Sequence, residues 1–299
     1  MYINLIGVPI NYGCDREGVQ YGPKRLRELG IIKALENGRN KVYDMGNLDV
    51  PIYTHEMKYK WHEKMKFLDP VIEVNTNLAH AVYSSLVAKC LPVVIGGDHS
   101  IGMGSIAGAS KYFENLAVIW VDAHGDINDS ESSPTGNIHG MPLAASMGFG
   151  HEMATNLYFK GTKISPENVY ILGARDLDQG EIELAKNTNL NLYTMEIIRQ
   201  RGLESVLNEI VSKIKTSAVY GVHLSYDIDA LDSELVPGTG TPVANGFNFE
   251  EGKTVLKNII TEGFVTSIDF VEFNPLIDDI EETTSKLCLD LITYIGSLL

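Results

Sequence analysis

Three side chains able to bind a metal recur at alternate positions in Asp122-Ala123-His124-Gly125-Asp126. In extended chain, side chains repeat with a period of two, so all three would point to one side. Two carboxylates and an imidazole side by side are costly unless something positive sits between them. A divalent metal ion is the simplest candidate; the plain alternative is a polar loop with its acids in solvent. The segment follows Leu116–Val121, LAVIWV, an apolar run that reads as a buried strand.

Other acids and histidines fall at similar places. His99 follows the apolar run Pro92–Ile95, and Asp176 and Asp178 follow Val169–Leu172. Asp227 and Asp229 come after Val219–Leu224, and Glu272 ends Val265–Val271. Five strands thus deliver polar groups at the same end, where open parallel sheets build their sites. Six of these groups (His99, Asp122, His124, Asp126, Asp227, Asp229) are too many for one protein-bound Mg²⁺ or catalytic Zn²⁺. They suit two ions with shared carboxylates. Four carboxylates and two imidazoles without a thiolate favour Mn²⁺ or Fe²⁺, with Co²⁺ or Ni²⁺ possible in vitro. Two ions on one water would lower its pKa toward neutrality, which suits hydrolysis of an unreactive carbon centre.

The elements that must position these groups alternate. The strand candidates are Tyr2–Val8, Lys41–Tyr43, Pro92–Ile95, Leu116–Val121, Val169–Leu172, Leu190–Tyr193, Val219–Leu224 and Val265–Val271. Between them lie helical patterns: Lys24–Leu29, Leu68–Lys89, Ile101–Phe113, Met141–Gly148, Glu181–Lys186, Leu203–Lys215, Asn248–Thr261 and Thr283–Leu298. The strands are continuous apolar runs, the mark of a parallel sheet covered on both faces. The expectation is an α/β three-layer sandwich with a mostly parallel sheet of about eight strands. No linker or repeat divides residues 1–299, so one domain is expected.

Net charge is −15, from 39 acids against 24 Lys and Arg, which argues against nucleic acid or an anionic membrane as partner. The three cysteines, Cys14, Cys90 and Cys288, form no C-x-x-C pair and fit a reducing, cytoplasmic setting. MYINLIGVPINYG lacks a basic leader and reads as a first strand rather than a signal peptide. No apolar run is long enough to span a membrane.

Gly96-Gly97-Asp98-His99-Ser100, Asp122-Ala123-His124-Gly125-Asp126, Ser225-Tyr226-Asp227-Ile228-Asp229 and Glu272-Phe273-Asn274-Pro275 occur in that order. The set resembles the motifs of the ureohydrolases, the arginase/agmatinase family of dinuclear manganese enzymes, and bacterial arginases in particular. The resemblance implies two Mn²⁺ per subunit and a metal-bridging hydroxide. His99, Asp122, Asp126 and Asp227 would hold one ion; Asp122, His124, Asp227 and Asp229 would hold the other. Asp126 would also relay a proton from the bridging water to the leaving amine. His139 matches the family's proton-shuttle or general-acid histidine. Glu272 would pair with a guanidinium, and Thr241 would line its pocket.

The residues downstream carry a substrate reading. Asn128, Ser133 and Thr135 resemble the arginase donors to an α-carboxylate, and Asp178 and Glu181 the acids that receive an α-ammonium. The resemblance therefore implies an arginase, hydrolysing L-arginine to L-ornithine and urea. A site built for both groups rejects agmatine, which lacks the carboxylate. An agmatinase or other guanidino-acid hydrolase, or a non-catalytic ureohydrolase-like binding protein, remain the alternatives. By analogy a homo-trimer or homo-hexamer is expected. Two departures from the family pattern stand out. Gly125 replaces a threonine and is expected to loosen the His124 loop, and Ser233 replaces a proline. His151 and His223 match no motif and read as structural.

Overall fold

The computed structural model describes residues 1–299. Its strands are β1 (Tyr2–Val8), β2 (Lys41–Asn47), β3 (Leu91–Gly96), β4 (Leu116–Val121), β5 (Val169–Leu172), β6 (Asn191–Tyr193), β7 (Gly221–Asp227) and β8 (Val265–Val271). They form one sheet in the order β2-β1-β3-β8-β7-β4-β5-β6. Every pairing is parallel, where the sequence predicted a mostly parallel sheet. The helices are α1 (Gly22–Leu29), α2 (Ile31–Glu36), α3 (Leu68–Val87), α4 (Gly102–Tyr112), α5 (Pro142–Ser146), α6 (Glu152–Thr155), α7 (Gln179–Asn187), α8 (Met195–Arg201), α9 (Leu203–Thr216), α10 (Phe249–Ile260) and α11 (Thr283–Leu298).

An apolar core lies on each face of the sheet. On one side Val206, Ile210, Val255, Leu256, Leu291 and Ile295 of α9, α10 and α11 pack with Ile119 and Val121. On the other, Val71, Val74, Leu78 and Ile106 of α3 and α4 pack with Val118 and Trp120. Successive residues of β4 thus feed opposite cores, so the strand carries no polar alternation.

The sequence pattern missed what lacks an apolar run. β2 extends to Asn47, beyond the predicted Tyr43, but it is an edge strand with Asp44 and Met45 exposed. α2 restarts after Gly30, whose φ of 97° breaks the chain from α1. α8 is short and capped by Thr194, whose side chain accepts from Ile197 N. No helix is long and apolar enough to cross a membrane.

α3 and α4 approach closely because α4 carries glycine where they cross. A Cβ on Gly108 would lie 2.4 Å from Ala79 O and 2.9 Å from Val82 Cβ. Alanine would gain up to about 1 kcal/mol in helix propensity. Overpacking costs about 1–3 kcal/mol and dominates here, because the nearest atom is backbone. Gly108→Ala is therefore expected to lower the midpoint of guanidinium chloride unfolding; a raised midpoint would contradict the close contact.

Candidate metal centre and active site

The five strands expected to deliver polar groups are neighbours in the sheet: β3, β8, β7, β4 and β5. Register aligns their ends. Val121 pairs with Tyr226, and Asp227 pairs with Val271, so Asp122, Asp227 and Glu272 emerge almost level. β1, β2 and β6 flank them and carry none of the predicted ligands.

His99 Nδ1 lies 2.9 Å from Asp122 Oδ2, 3.1 Å from Asp227 Oδ2 and 3.2 Å from Asp126 Oδ2. None of the three meets hydrogen-bond geometry, so this buried nitrogen has no partner. Donors around a divalent ion at about 2.1 Å stand about 3 Å from one another, which is the spacing seen. His124 Nδ1 lies 3.2 Å from Asp122 Oδ1 and 3.3 Å from Asp229 Oδ2. Two groups could each hold a metal ion: His99, Asp122 and Asp227, and Asp122, His124 and Asp229. They share Asp122. Asp126 reaches His99 from outside both groups, and Asp227 sits in the first only. The donors present are oxygens and imidazole nitrogens, which fit a hard or borderline divalent ion.

The electrostatics show what the cluster lacks. Burial opposes a charge on His99, but Asp122, Asp126 and Asp227 outweigh it and hold its pKa well above the ordinary value. Burial opposes the charge on His124 as well, and Asp229 and Asp122 overcome it. Burial, then the charges of Asp229 and Asp122, push Asp227 well up. Burial and Asp122 raise Asp126 to about 6. With protein groups alone, the histidines would have to protonate to compensate the acids. A metal cation supplies that compensation and leaves them free to ligate.

Local turns aim these side chains. The sequence suggested that an extended Asp122–Asp126 would share one side by alternation. Instead the chain bends after Val121, and Asp126 is left-handed at φ 52°. Asp122 Oδ1 accepts from His124 N at 2.7 Å. Asp227 Oδ1 accepts from Asp229 N and Asp98 Oδ1 from Ser100 N in the same i to i+2 manner. Short aspartate side chains stabilise such turns at strand ends. Sequence reasoning missed the next layer. Trp120 stacks on His99 at 3.9 Å and donates Nε1–H to Asp122 Oδ2 at 3.0 Å. Ser225 Oγ lies 2.7 Å from His99 Nε2. Both residues stand two positions before a candidate ligand, on the same strand face, and that spacing is the signal that could have found them.

Glu272 Oε1 accepts from His99 N at 2.8 Å and meets His139 Nδ1 at 3.0 Å. Burial alone would lower the His139 pKa, but Glu272 outweighs it and raises the value to about 9. Glu272 holds a left-handed φ of 64°, a strained conformation for a glutamate.

A cavity of about 190 Å³ opens over the cluster, and none of its lining residues is hydrophobic. Asp126, Asp176, Asp178, Glu181 and Asp227 line it and no Lys or Arg does, so it suits a cation. The rim contains Asn128, Ser133, Thr135 and Thr241. Ser133 Oγ accepts from Gly136 N and Thr135 Oγ1 from Asn137 N, which leaves both O–H groups free to donate. Asn128 Nδ2 donates to Asp178 Oδ2 at 2.8 Å, and Thr241 Oγ1 to Asp229 Oδ2 at 3.0 Å. Glu181 is committed differently. Its oxygens accept from Ile127 N at 3.1 Å and Asp178 N at 2.9 Å, and burial raises its pKa to about 7.

A model of the arginase family matches residues 1–296. The arginase of Brevibacillus brevis is 42% identical over 98% of this chain and 97% of its own. That of Bacillus subtilis is 43% identical over 97% of this chain and 96% of its own. The solved arginase of Bacillus caldovelox superposes with a TM-score of 0.92 at 38% identity, covering 98% of this chain and 97% of that one. The chain belongs to the arginase family. Gly125 and Ser233, read from the sequence as departures from the family pattern, each have a local contact. A Cβ on Gly125 would lie 2.8 Å from Glu181 Oε1, so the glycine makes room for the carboxylate that pins Ile127. Ser233 N donates to Val243 O at 3.3 Å, a bond that the family's proline could not make. His223 is buried between Ser267 and Asp269, and His151 caps α6; neither lines the main cavity.

Glu272→Gln removes the charge that holds the His139 pKa up and leaves burial, which acts against it. Histidine NMR of the metal-free protein is expected to show His139 titrating well below about 9. An unmoved titration would contradict the pairing.

Proposed function

We propose that this member of the arginase family hydrolyses L-arginine to L-ornithine and urea within one ureohydrolase domain spanning residues 1–299. The observation that carries the reading is the convergence of four buried aspartates and two histidines under an acidic cavity, in a chain matched end to end by arginases. Two Mn²⁺ per subunit would neutralise the four carboxylates. One would be held by His99, Asp122, Asp126 and Asp227, the other by Asp122, His124, Asp227 and Asp229. Bound there, the pair would lower the pKa of a shared water toward neutrality and so supply hydroxide.

The protein's own groups do the rest. Glu272 and Thr241 orient the guanidinium so that its carbon faces the attacking oxygen. That oxygen bonds to the guanidino carbon, and Asp126 takes its proton. The bond from the guanidino carbon to the side-chain nitrogen breaks, and the leaving amine receives a proton from Asp126 or His139. Glu272 lies 3.0 Å from His139 Nδ1 and favours its charged form, so the pair is suited to giving a proton. Asn128, Ser133 and Thr135 donate to the α-carboxylate. Asp178 receives the α-ammonium, and Glu181, read from the sequence as a second acceptor, has both oxygens already engaged and contributes its hold on the Asp126–Asn128 loop. A homo-trimer or homo-hexamer in the cytoplasm is the expected form, with three unpaired thiols suited to reducing conditions.

Manganese-loaded protein is expected to release urea from L-arginine far faster than from agmatine. No urea from arginine, or faster release from agmatine, would overturn the reading. Asp178→Ala removes a charged contact and is expected to raise KM for arginine about 10-fold or more, with a smaller change in kcat.

A further inference from the structure

Arg175 has no place in the chemistry above, yet its guanidinium is committed entirely to backbone. Nη2 donates to Asp229 O at 2.8 Å, Leu231 O at 3.0 Å and Val243 O at 2.8 Å. Nε donates to Ala244 O at 3.0 Å, and Nη1 to Gly173 O and Ala230 O at 3.3 Å. All six acceptors are carbonyls, so the group acts as a fork that ties three chain segments. One is the end of β5. The second is the turn that carries Asp229. The third follows Thr241, whose hydroxyl donates to Asp229 Oδ2.

The backbone of the same segment meets the other arm of the cluster. Arg175 N and Asp176 N both donate to Ala123 O, at 2.8 and 3.1 Å, and Ala123 N donates to Asp229 Oδ1 at 3.2 Å. Ala123 lies between Asp122 and His124. The Arg175 side chain therefore fixes the turn of Asp229 to a segment whose own backbone amides hold the loop of His124. His99 is held by other means, namely Glu272, Ser225 and Trp120, none of which Arg175 contacts.

We propose that Arg175 is a positioning residue that acts chiefly on one half of the metal centre, the half of Asp229 and His124; the other half shares Asp122 with it, but its His99 is held by contacts that Arg175 does not make. The proposal rests on the two-ion reading. Its physical content is geometric. A lysine keeps the charge but offers one donor point, and cannot reach carbonyls on three segments at once. Loss of groups that orient metal ligands costs about 10–100-fold in affinity.

The test is a titration of metal-free protein with Mn²⁺, followed by the EPR signal of free Mn²⁺, for the natural protein, Arg175→Lys and Arg175→Gln. Thermal unfolding of each metal-free protein checks the fold. The natural protein is expected to bind two ions; any other stoichiometry would fault the two-ion reading itself. In both variants one ion should bind within about twofold of the natural affinity, and the other should weaken about 10–100-fold. Equal weakening of both ions, no weakening of either, full rescue by lysine, or failure of both variants to fold would each overturn the proposal.

Discussion

Everything at the C-terminal end of this sheet answers to the mutual repulsion of Asp122, Asp126, Asp227 and Asp229, four aspartates that are almost wholly buried. No lysine or arginine lines the cavity beside them. Burying one unpaired carboxylate is costly, and burying four together is prohibitive without cations. The fold meets part of the demand with backbone amides. Asp122 accepts from His124 N, Asp227 from Asp229 N, and Asp229 from Ala123 N. These contacts set direction but supply no full charge. The remainder falls to metal cations, and their binding is thereby coupled to the order of the turns themselves.

Backbone strain falls at the same end of the sheet. Asp126 and Glu272 both hold left-handed backbone, which a packed framework must impose. Asp126 is braced by Glu181 through Ile127, and Glu272 by its own amide on Gly97 O. The framework beneath is the doubly covered sheet, whose central strands are buried on both faces. Five strand ends in register then present their side chains as one constellation. The cavity above inherits the excess of negative charge, which would draw a cationic substrate inward.

Much of this was legible in the sequence because the central strands are continuous apolar runs, each ending abruptly in acids or histidine. Parallel pairing followed from that pattern, and so did the convergence of His99, Asp122, Asp227 and Glu272. Less legible were features that depend on three dimensions. β2 lies at an exposed edge and carries no apolar run. The bend after Val121 replaced the strand alternation that the Asp-x-His-x-Asp spacing suggested, since one i to i+2 hydrogen bond turns the chain there. The sequence alone does not show that Glu181 occupies the space of the side chain Gly125 lacks. Trp120, Ser225 and Arg175 act only through their neighbours, so their residue types alone gave no sign.

In the proposed function two metal ions, rather than protonated histidines, compensate the carboxylates. Anomalous diffraction from crystals grown with Mn²⁺, recorded on both sides of the manganese absorption edge, tests it most directly. Two peaks per chain are expected: one among His99, Asp122 and Asp227, the other among Asp122, His124 and Asp229. A single peak, or none within this cluster, would contradict it.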